Sequence, residues 1–418
     1  MNRIILVGNG FDLAHNLRTS YKDFMNWYWD EWLYKLRCCH TNKITDELCT
    51  FIIRNRPGTW HTHMFHNVPL TSPPKGKVFI DKLMKEDSDF ITIKICPFLE
   101  NICNSIEEKN WVDIESEYYQ CLLNTEQYPV KELNRQLEFI KTKLIEYLHT
   151  IPQPPKEDTI EALFKAPIHK KDISISALQH WYDFVSARCN YNEGEWAALF
   201  ANYEFDCKQK PFAIYGDMPE RYGLQRQPHY TASEIERMFD LEYLPEVLTP
   251  NKTLLLNFNY TTIADRYIPH TEAFSIIHIH GELSTPNSVI FGYGDDTDES
   301  YSTLEKKNDN EYLKHMKTAH YWEDENYRKM RSFMELAPYQ VCILGHSCGI
   351  SDRTLLNELF EHDNCVSIKP YYHVKGKDKD DYLDKVYDIS RNFTNAKKKR
   401  ERVVNKRYCE PLPQLKAE

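Results

Sequence analysis

The stretch Arg3-Ile4-Ile5-Leu6-Val7-Gly8-Asn9-Gly10-Phe11-Asp12-Leu13 decides the fold. A short β-branched and apolar run stops at Gly-x-Gly and passes straight into a helical pattern, which predicts strand, tight turn and helix. Such a turn can aim the first amides of its helix at an anion. The third glycine of the dinucleotide fingerprint is missing, since Leu13 stands in its place, so an ordinary βα turn explains the stretch equally well. Asp12 follows the glycines, placed either to cap the helix or to bond a ribose hydroxyl.

Beyond this turn the texture becomes helical. Ser20 and Asp23 have capping-box spacing, and Tyr21, Phe24, Tyr28 and Trp32 then recur on one helical face. Leu133, Leu137, Ile140, Leu144 and Leu148 mark a second amphipathic helix. From Thr253 short strand-like runs alternate with turns: Thr253–Phe258, Ser275–His280, Ser288–Tyr293, Gln340–Leu344 and Cys365–Lys369. Helical patterns sit between several of them, so the reading is α/β. The strand at residues 3–7 has no strand partner nearby, which predicts a discontinuous Rossmann-like domain with a mostly parallel sheet. It takes residues 1–20 and 250–375, with a large helical insertion at 21–249 and a helical, basic tail at 376–418.

Composition narrows the function. The chain of 418 residues carries 13 glycines, where average usage of about 7% gives roughly 29. Seven of them lie at four predicted strand ends: Gly8 and Gly10, Gly281, Gly292 and Gly294, Gly345 and Gly349. A net charge of −10 argues against a nucleic-acid binder driven by bulk electrostatics, and Lys397 to Arg407 reads as a solvated basic face. No apolar run nears the ~18 residues of a membrane span. Twelve cysteines without a Cys-x-x-Cys pair suit reduced thiols in a cytoplasmic protein better than a disulfide framework or a zinc site. His61, His63 and His66 read as loop histidines, so no metal is expected.

Candidate chemistry sits at the strand ends, where open α/β sheets bind ligands. Asn257 and Asn259 project to one side as a strand ends; Asn257 suits a turn, and Asn259 lies nearer the mouth. His278 and His280 share a face, and His280 abuts Gly281 with an imidazole suited to proton transfer. The late loop Gly345-His346-Ser347-Cys348-Gly349-Ile350-Ser351-Asp352 offers hydroxyls and a carboxylate to a sugar. It also matches the Gly-x-Ser-x-Gly elbow, with Asp363 and His373 following in hydrolase order, so a serine hydrolase is a rival reading. A non-catalytic nucleotide or ADP-ribose sensor is another. The segment Trp111-Val112-Asp113-Ile114-Glu115 reads as a helix with Trp111 and Ile114 buried and Asp113 and Glu115 solvated. The acidic stretch from Asp295 to Asn310 suits a lid or a connection.

The order GNGFD, NFNYT, HIHGE, FGYG, GHSCGISD resembles the SIR2-like fold, and most closely the bacteriophage abortive infection AbiH proteins. That resemblance implies an antiphage protein that binds NAD and hydrolyses its nicotinamide–ribose bond. It puts the NAD diphosphate on the turn of Gly8, Asn9, Gly10, Phe11 and Asp12, and matches Asn259 and His280 to the catalytic asparagine and histidine. Gly281 follows that histidine, and Gly345, Ser347 and Asp352 match the loop contacting the adenosine ribose. The zinc-binding cysteines of deacetylating sirtuins have no counterpart, which sets peptide deacylation aside. An activator of phage or host origin is implied, and a homo-oligomer is compatible with it.

Overall fold

The computed structural model describes residues 1–38, 41–53, 91–109, 112–124, 126–180, 247–377 and 379–415. The chain forms two compact units. One comprises Met1–Asn16, Gln153–Val289 and His320–Glu418; the other comprises Leu17–Pro152 and Ile290–Ala319.

The first unit is built on five parallel strands, β1 (Asn2–Val7), β2 (Thr253–Asn257), β3 (Phe274–His278), β4 (Tyr339–Leu344) and β5 (Cys365–Tyr371). Their spatial order is β3-β2-β1-β4-β5, with every pair parallel. All positions of β1, β2, β4 and β5 are buried. Their short, unbroken apolar runs follow from that, because a parallel sheet is covered on both faces. β3 is an edge strand and is only partly covered. This is a Rossmann-like α/β sheet, and the strand order reverses between β1 and β4, the switch point at which such sheets bind ligands.

The two faces differ in chemistry. Ile4, Leu6, Leu254, Leu256, Val341, Ile343 and Ile368 share one face and are fully buried. The other carries Gln340, Ser367 and Lys369 under the turn Lys170–Asp172. Lys369 Nζ donates to Asp172 Oδ2 at 3.1 Å, and Ser367 Oγ to the Asp172 carbonyl at 2.8 Å. Residues 153–180 therefore fall in the same compact unit as the sheet, although the sequence reading assigns them to the insertion. The C-terminal segment is likewise no tail. Within the helix Tyr382–Arg391, Lys385 donates to the His346 carbonyl at 3.1 Å, and just beyond it Asn392 donates to the Cys348 carbonyl at 2.8 Å. Its basic residues have structural partners: Lys398 pairs with Asp363 at 2.9 Å, and buried Arg402 donates to the Phe360 carbonyl.

The expected strand at 288–293 does not form. Pro286–Ser288 is a single 3-10 turn, and only Tyr293 makes a bridge, to Met316. At Gly292 a Cβ would lie 1.9 Å from the His315 carbonyl oxygen. That glycine therefore serves a close backbone crossing in the second unit and ends no strand.

The second unit has the two expected amphipathic helices. Tyr21–Cys38 buries Phe24, Tyr28 and Trp32, and Val130–His149 buries its leucine stripe. Ser20 accepts from the Asp23 amide at 3.1 Å as the capping box requires. The unit is not wholly helical: Lys43–Thr45, Cys49–Ile53 and Ile91–Ile95 form an antiparallel sheet. Their Ile/Thr/Phe alternation favours a pleated surface. The Asp295–Asn310 stretch contains the helix Glu299–Glu305, capped by Asp298. Glu115 is buried and not solvated: its Oε2 accepts from buried Lys317 at 3.0 Å and its Oε1 from the Gly292 amide at 3.1 Å. Ile114 is buried and Asp113 caps its helix; Trp111 and the three loop histidines lie outside the described residues. Among those residues no helix is long and apolar enough to cross a membrane.

Candidate functional site

Four loops meet at the carboxyl edge of the sheet in the first unit. After β1 the chain enters the short helix Asn9–Ala14. The Gly10 amide donates to the Gly345 carbonyl at 2.8 Å, and the Phe11 amide to the Gly8 carbonyl at 2.8 Å. A Cβ on Gly8 would lie 2.6 Å from the His346 Cα, and one on Gly10 2.6 Å from the Gly345 oxygen. Gly345 itself has φ +76°, and its Cβ would meet the Phe11 nitrogen at 2.1 Å. These three glycines let the β1 and β4 loops close on each other at the switch point. The Gly10 and Phe11 amides, two of those that could hold a diphosphate, are bonded to protein carbonyls. Phe11 is buried against Phe164 and Tyr267, while Asn9 is exposed.

After β2, Asn257 winds the loop. Its Oδ1 accepts from the Asn259 amide at 2.9 Å and its Nδ2 donates to the Thr261 carbonyl at 3.1 Å. Asn259 Nδ2 then donates to the Gly8 carbonyl at 3.1 Å and to Asp12 Oδ1 at 3.0 Å. Thr261 Oγ1 donates to Asp12 Oδ2 at 2.7 Å. Asp12 is therefore bonded to protein on both oxygens and buried. Burial drives its pKa up to about 7, against the pull of the Thr261 and Asn259 hydrogen bonds.

Two Asp–His pairs follow. His278, level with Asn257 in the sheet register, meets Asp265 at 2.8 Å. Burial opposes protonation there, but the Asp265 hydrogen bond and charge, helped by Glu282, prevail and the pKa is raised. His280 lies two residues on, before Gly281 at φ +77°, whose Cβ would lie 2.1 Å from the Ser288 carbonyl oxygen. His280 Nε2 is 3.3 Å from Asp352 Oδ1 and 3.2 Å from the Tyr321 hydroxyl. His346 Nδ1 accepts from the Cys348 amide at 2.9 Å. That bond puts the imidazole proton on Nε2, which faces Asp352 Oδ2 across 3.6 Å. Phe258 packs against both rings, at 5.2 Å from His280 and 4.1 Å from His346.

The late loop is strained as well as crowded. Cys348 has φ +56°, a left-handed backbone costing a non-glycine residue about 1–2 kcal/mol. The Asn392 amide and His346 hold it there. Burial pushes the Cys348 thiol up to about 12, so it is no thiolate nucleophile. Ser347 is exposed, and its Oγ accepts weakly from the Gly349 amide. The hydrolase reading fails on topology. Asp363 lies at the amino end of β5, while Ser347 follows the carboxyl end of parallel β4; six residues of strand put them roughly 20 Å apart. Asp363 pairs with Lys398, and His373 is exposed.

The structure thus gathers Asn259, His280, Gly8, Gly10, Asp12, Gly281, Gly345 and Asp352 at one edge. Asp352 faces two histidines, His280 and His346. Sequence reasoning missed Asp265, Thr261 as a partner of Asp12, and Tyr321, which no local pattern marks. A cavity of about 320 Å³ lies at the opposite edge, where β5 begins, lined by residues including His180, Cys365 and Arg402; it shares nothing with these loops.

A β3-β2-β1-β4-β5 parallel sheet with polar loops gathered at its carboxyl edge defines a Rossmann-like α/β protein. Residues 4–373 match the family model of the bacteriophage abortive infection AbiH proteins, and the chain belongs to that family. No curated protein and no solved structure gives a significant match.

Proposed function

We propose that this protein serves abortive infection by binding NAD at the carboxyl edge of its parallel sheet and hydrolysing the nicotinamide–ribose bond in the cytoplasm. The observation that carries this reading is the His280–Asp352 pair, joining the loops after β3 and β4, at the same sheet edge at which Asn259 follows β2, the neighbour of β3. Nicotinamide leaves as a neutral group, so the chemistry needs no general acid. The transition state resembles an oxocarbenium ion, as in glycoside hydrolysis. Asn259 orients a ribose hydroxyl or the attacking water. His280 takes the proton, and Asp352 stabilises the imidazolium as it forms. A base in this role is worth ~10²–10⁴-fold. Ser347, exposed in the late loop, bonds a second ribose hydroxyl. Gly8, Gly10 and Gly345 serve by bringing two loops together, with Asn9 the exposed polar residue of the turn.

The test is release of free nicotinamide from NAD by purified protein, with and without lysate of infected cells to supply an activator of phage or host origin. His280→Ala and Asn259→Ala are each expected to lose at least ~100-fold in turnover with an unshifted melting temperature. Undiminished turnover by both variants would falsify the assignment. Saturable NAD binding without turnover under either condition would instead favour a nucleotide or ADP-ribose sensor.

A further inference from the structure

We infer that Asp12 is a positioning residue: with the Gly8 carbonyl it takes both protons of the Asn259 carboxamide, so that the site offers a carbonyl oxygen there and selects a hydroxyl donor over an anion. The inference rests on the reading that a nucleotide sugar occupies this edge.

A carboxamide has two N–H donors at one end and an acceptor at the other. Asn259 Nδ2 lies 3.1 Å from the Gly8 carbonyl oxygen and 3.0 Å from Asp12 Oδ1. A carbonyl can only accept, so a flipped amide would set oxygen against oxygen at both contacts. The orientation is therefore dictated chemically. The parts that dictate it are themselves held: Thr261 Oγ1 anchors the far oxygen of Asp12 at 2.7 Å, and Asn257 Oδ1 holds the Asn259 backbone amide at 2.9 Å. Asp12 is 1% exposed, so water does not compete for its oxygens.

With both protons engaged, what the Asn259 side chain has left to offer is its oxygen. The neighbouring turn adds no compensating donors from Gly10 or Phe11, whose amides bond to carbonyls. An anion placed against the Asn259 carbonyl oxygen would face an acceptor, whereas a sugar hydroxyl or a water would donate to it. The lock also tolerates protonation of Asp12: one oxygen still accepts from Asn259, and the new hydroxyl can donate to Thr261 Oγ1. By the same logic Asp12→Asn keeps the lock, with its carbonyl toward Asn259 and its amide toward Thr261. Asp12→Leu cannot.

The experiment uses the full chain, deuterated and ¹⁵N-labelled, with the Asn259 carboxamide resonances assigned by their loss in Asn259→Ala. Hydrogen exchange of those protons is expected to be slow in the parent protein and in Asp12→Asn, and at least ~10-fold faster in Asp12→Leu. Nicotinamide release is expected to fall roughly 10- to 100-fold further in Asp12→Leu than in Asp12→Asn. If Asp12→Leu does not fold, the exchanged pair decides. Asn259→Asp alone sets acceptor against acceptor, and adding Asp12→Asn supplies a donor across the contact, so the double variant should recover at least ~10-fold over Asn259→Asp. Unchanged exchange in Asp12→Leu, or no recovery in the double variant, overturns the inference. Loss of turnover in Asp12→Asn with exchange still slow also overturns it, because the carboxylate charge would then act on substrate directly. If the parent protein neither binds nor cleaves NAD, the NAD reading fails, and the exchange measurement still decides the Asp12–Asn259 lock.

Discussion

Replacing Asp12 by asparagine should stabilise the fold in a pH-dependent way, and the size follows from the buried site. The carboxyl titrates near 7 in the folded chain, against an ordinary value of 3.8, because burial outweighs the Thr261 and Asn259 hydrogen bonds. Between those two values the folded state holds a proton that the unfolded chain has released. Stability therefore falls as pH rises through this window and levels off above about 7. At 1.36 kcal/mol per unit, the total is on the order of 4 kcal/mol, of which about 2–3 kcal/mol falls between pH 5 and pH 8. Asparagine does not titrate, keeps the volume, and can still accept from Asn259 while donating to Thr261. The advantage of Asp12→Asn over the parent should widen by that amount from pH 5 to pH 8. Thermal unfolding followed by circular dichroism at both pH values reads it as a gap growing by roughly 3–6 °C. All other titrations are common to the two proteins and cancel in the difference. A gap that stays constant, or that reverses at pH 8, would refute the reasoning, because the carboxylate would then be comfortable in its charged form.

Three further outcomes are expected. Gly345→Ala should cost more than about 2 kcal/mol in denaturant unfolding, because it adds a left-handed penalty to a 2.1 Å approach to the Phe11 nitrogen; a loss under 0.5 kcal/mol would mean the two loops separate freely. Asp265→Asn should lower the His278 pKa measured by NMR titration, since that carboxylate is what lifts it against burial; an unmoved value would remove Asp265 as the cause. Lys317→Met should destabilise by about 3–5 kcal/mol by leaving Glu115 charged and buried, while Glu115→Leu with Lys317→Met should recover most of that loss. Equal losses in the single and double variants would show that packing, not the loss of the Lys317 charge beside Glu115, sets the penalty.

Much of the sheet was legible because fully covered parallel strands read as short apolar runs whatever their neighbours. β1, β2, β4 and β5 are found within a residue or two of the expected runs. The run at 288–293 has the same local look and forms no strand, because Gly292 is pressed against the His315 carbonyl, 23 residues away in sequence. The strands at 43–53 and 91–95 carry a β-branched alternation that was readable but lay inside a stretch dominated by helical periodicity. Glu115 looked solvated because no pattern within its helix announces Lys317, about 200 residues on.

By itself the sequence determined the fold class, the family and the set of polar residues at strand ends, since each is written in local pattern and in the order of short motifs. Tertiary structure alone decided what those residues face. The glycines of the first turn looked like room for a phosphate and are instead room for another loop of the same protein. Asp12, which looked like a ligand contact, holds the amide of Asn259; Asp352 stands between His280 and His346. The physical reason is that a hydrogen bond depends on partners brought within 3 Å by sheet closure, from positions about 250 residues apart for Asp12 and Asn259, and no local periodicity encodes which partner arrives.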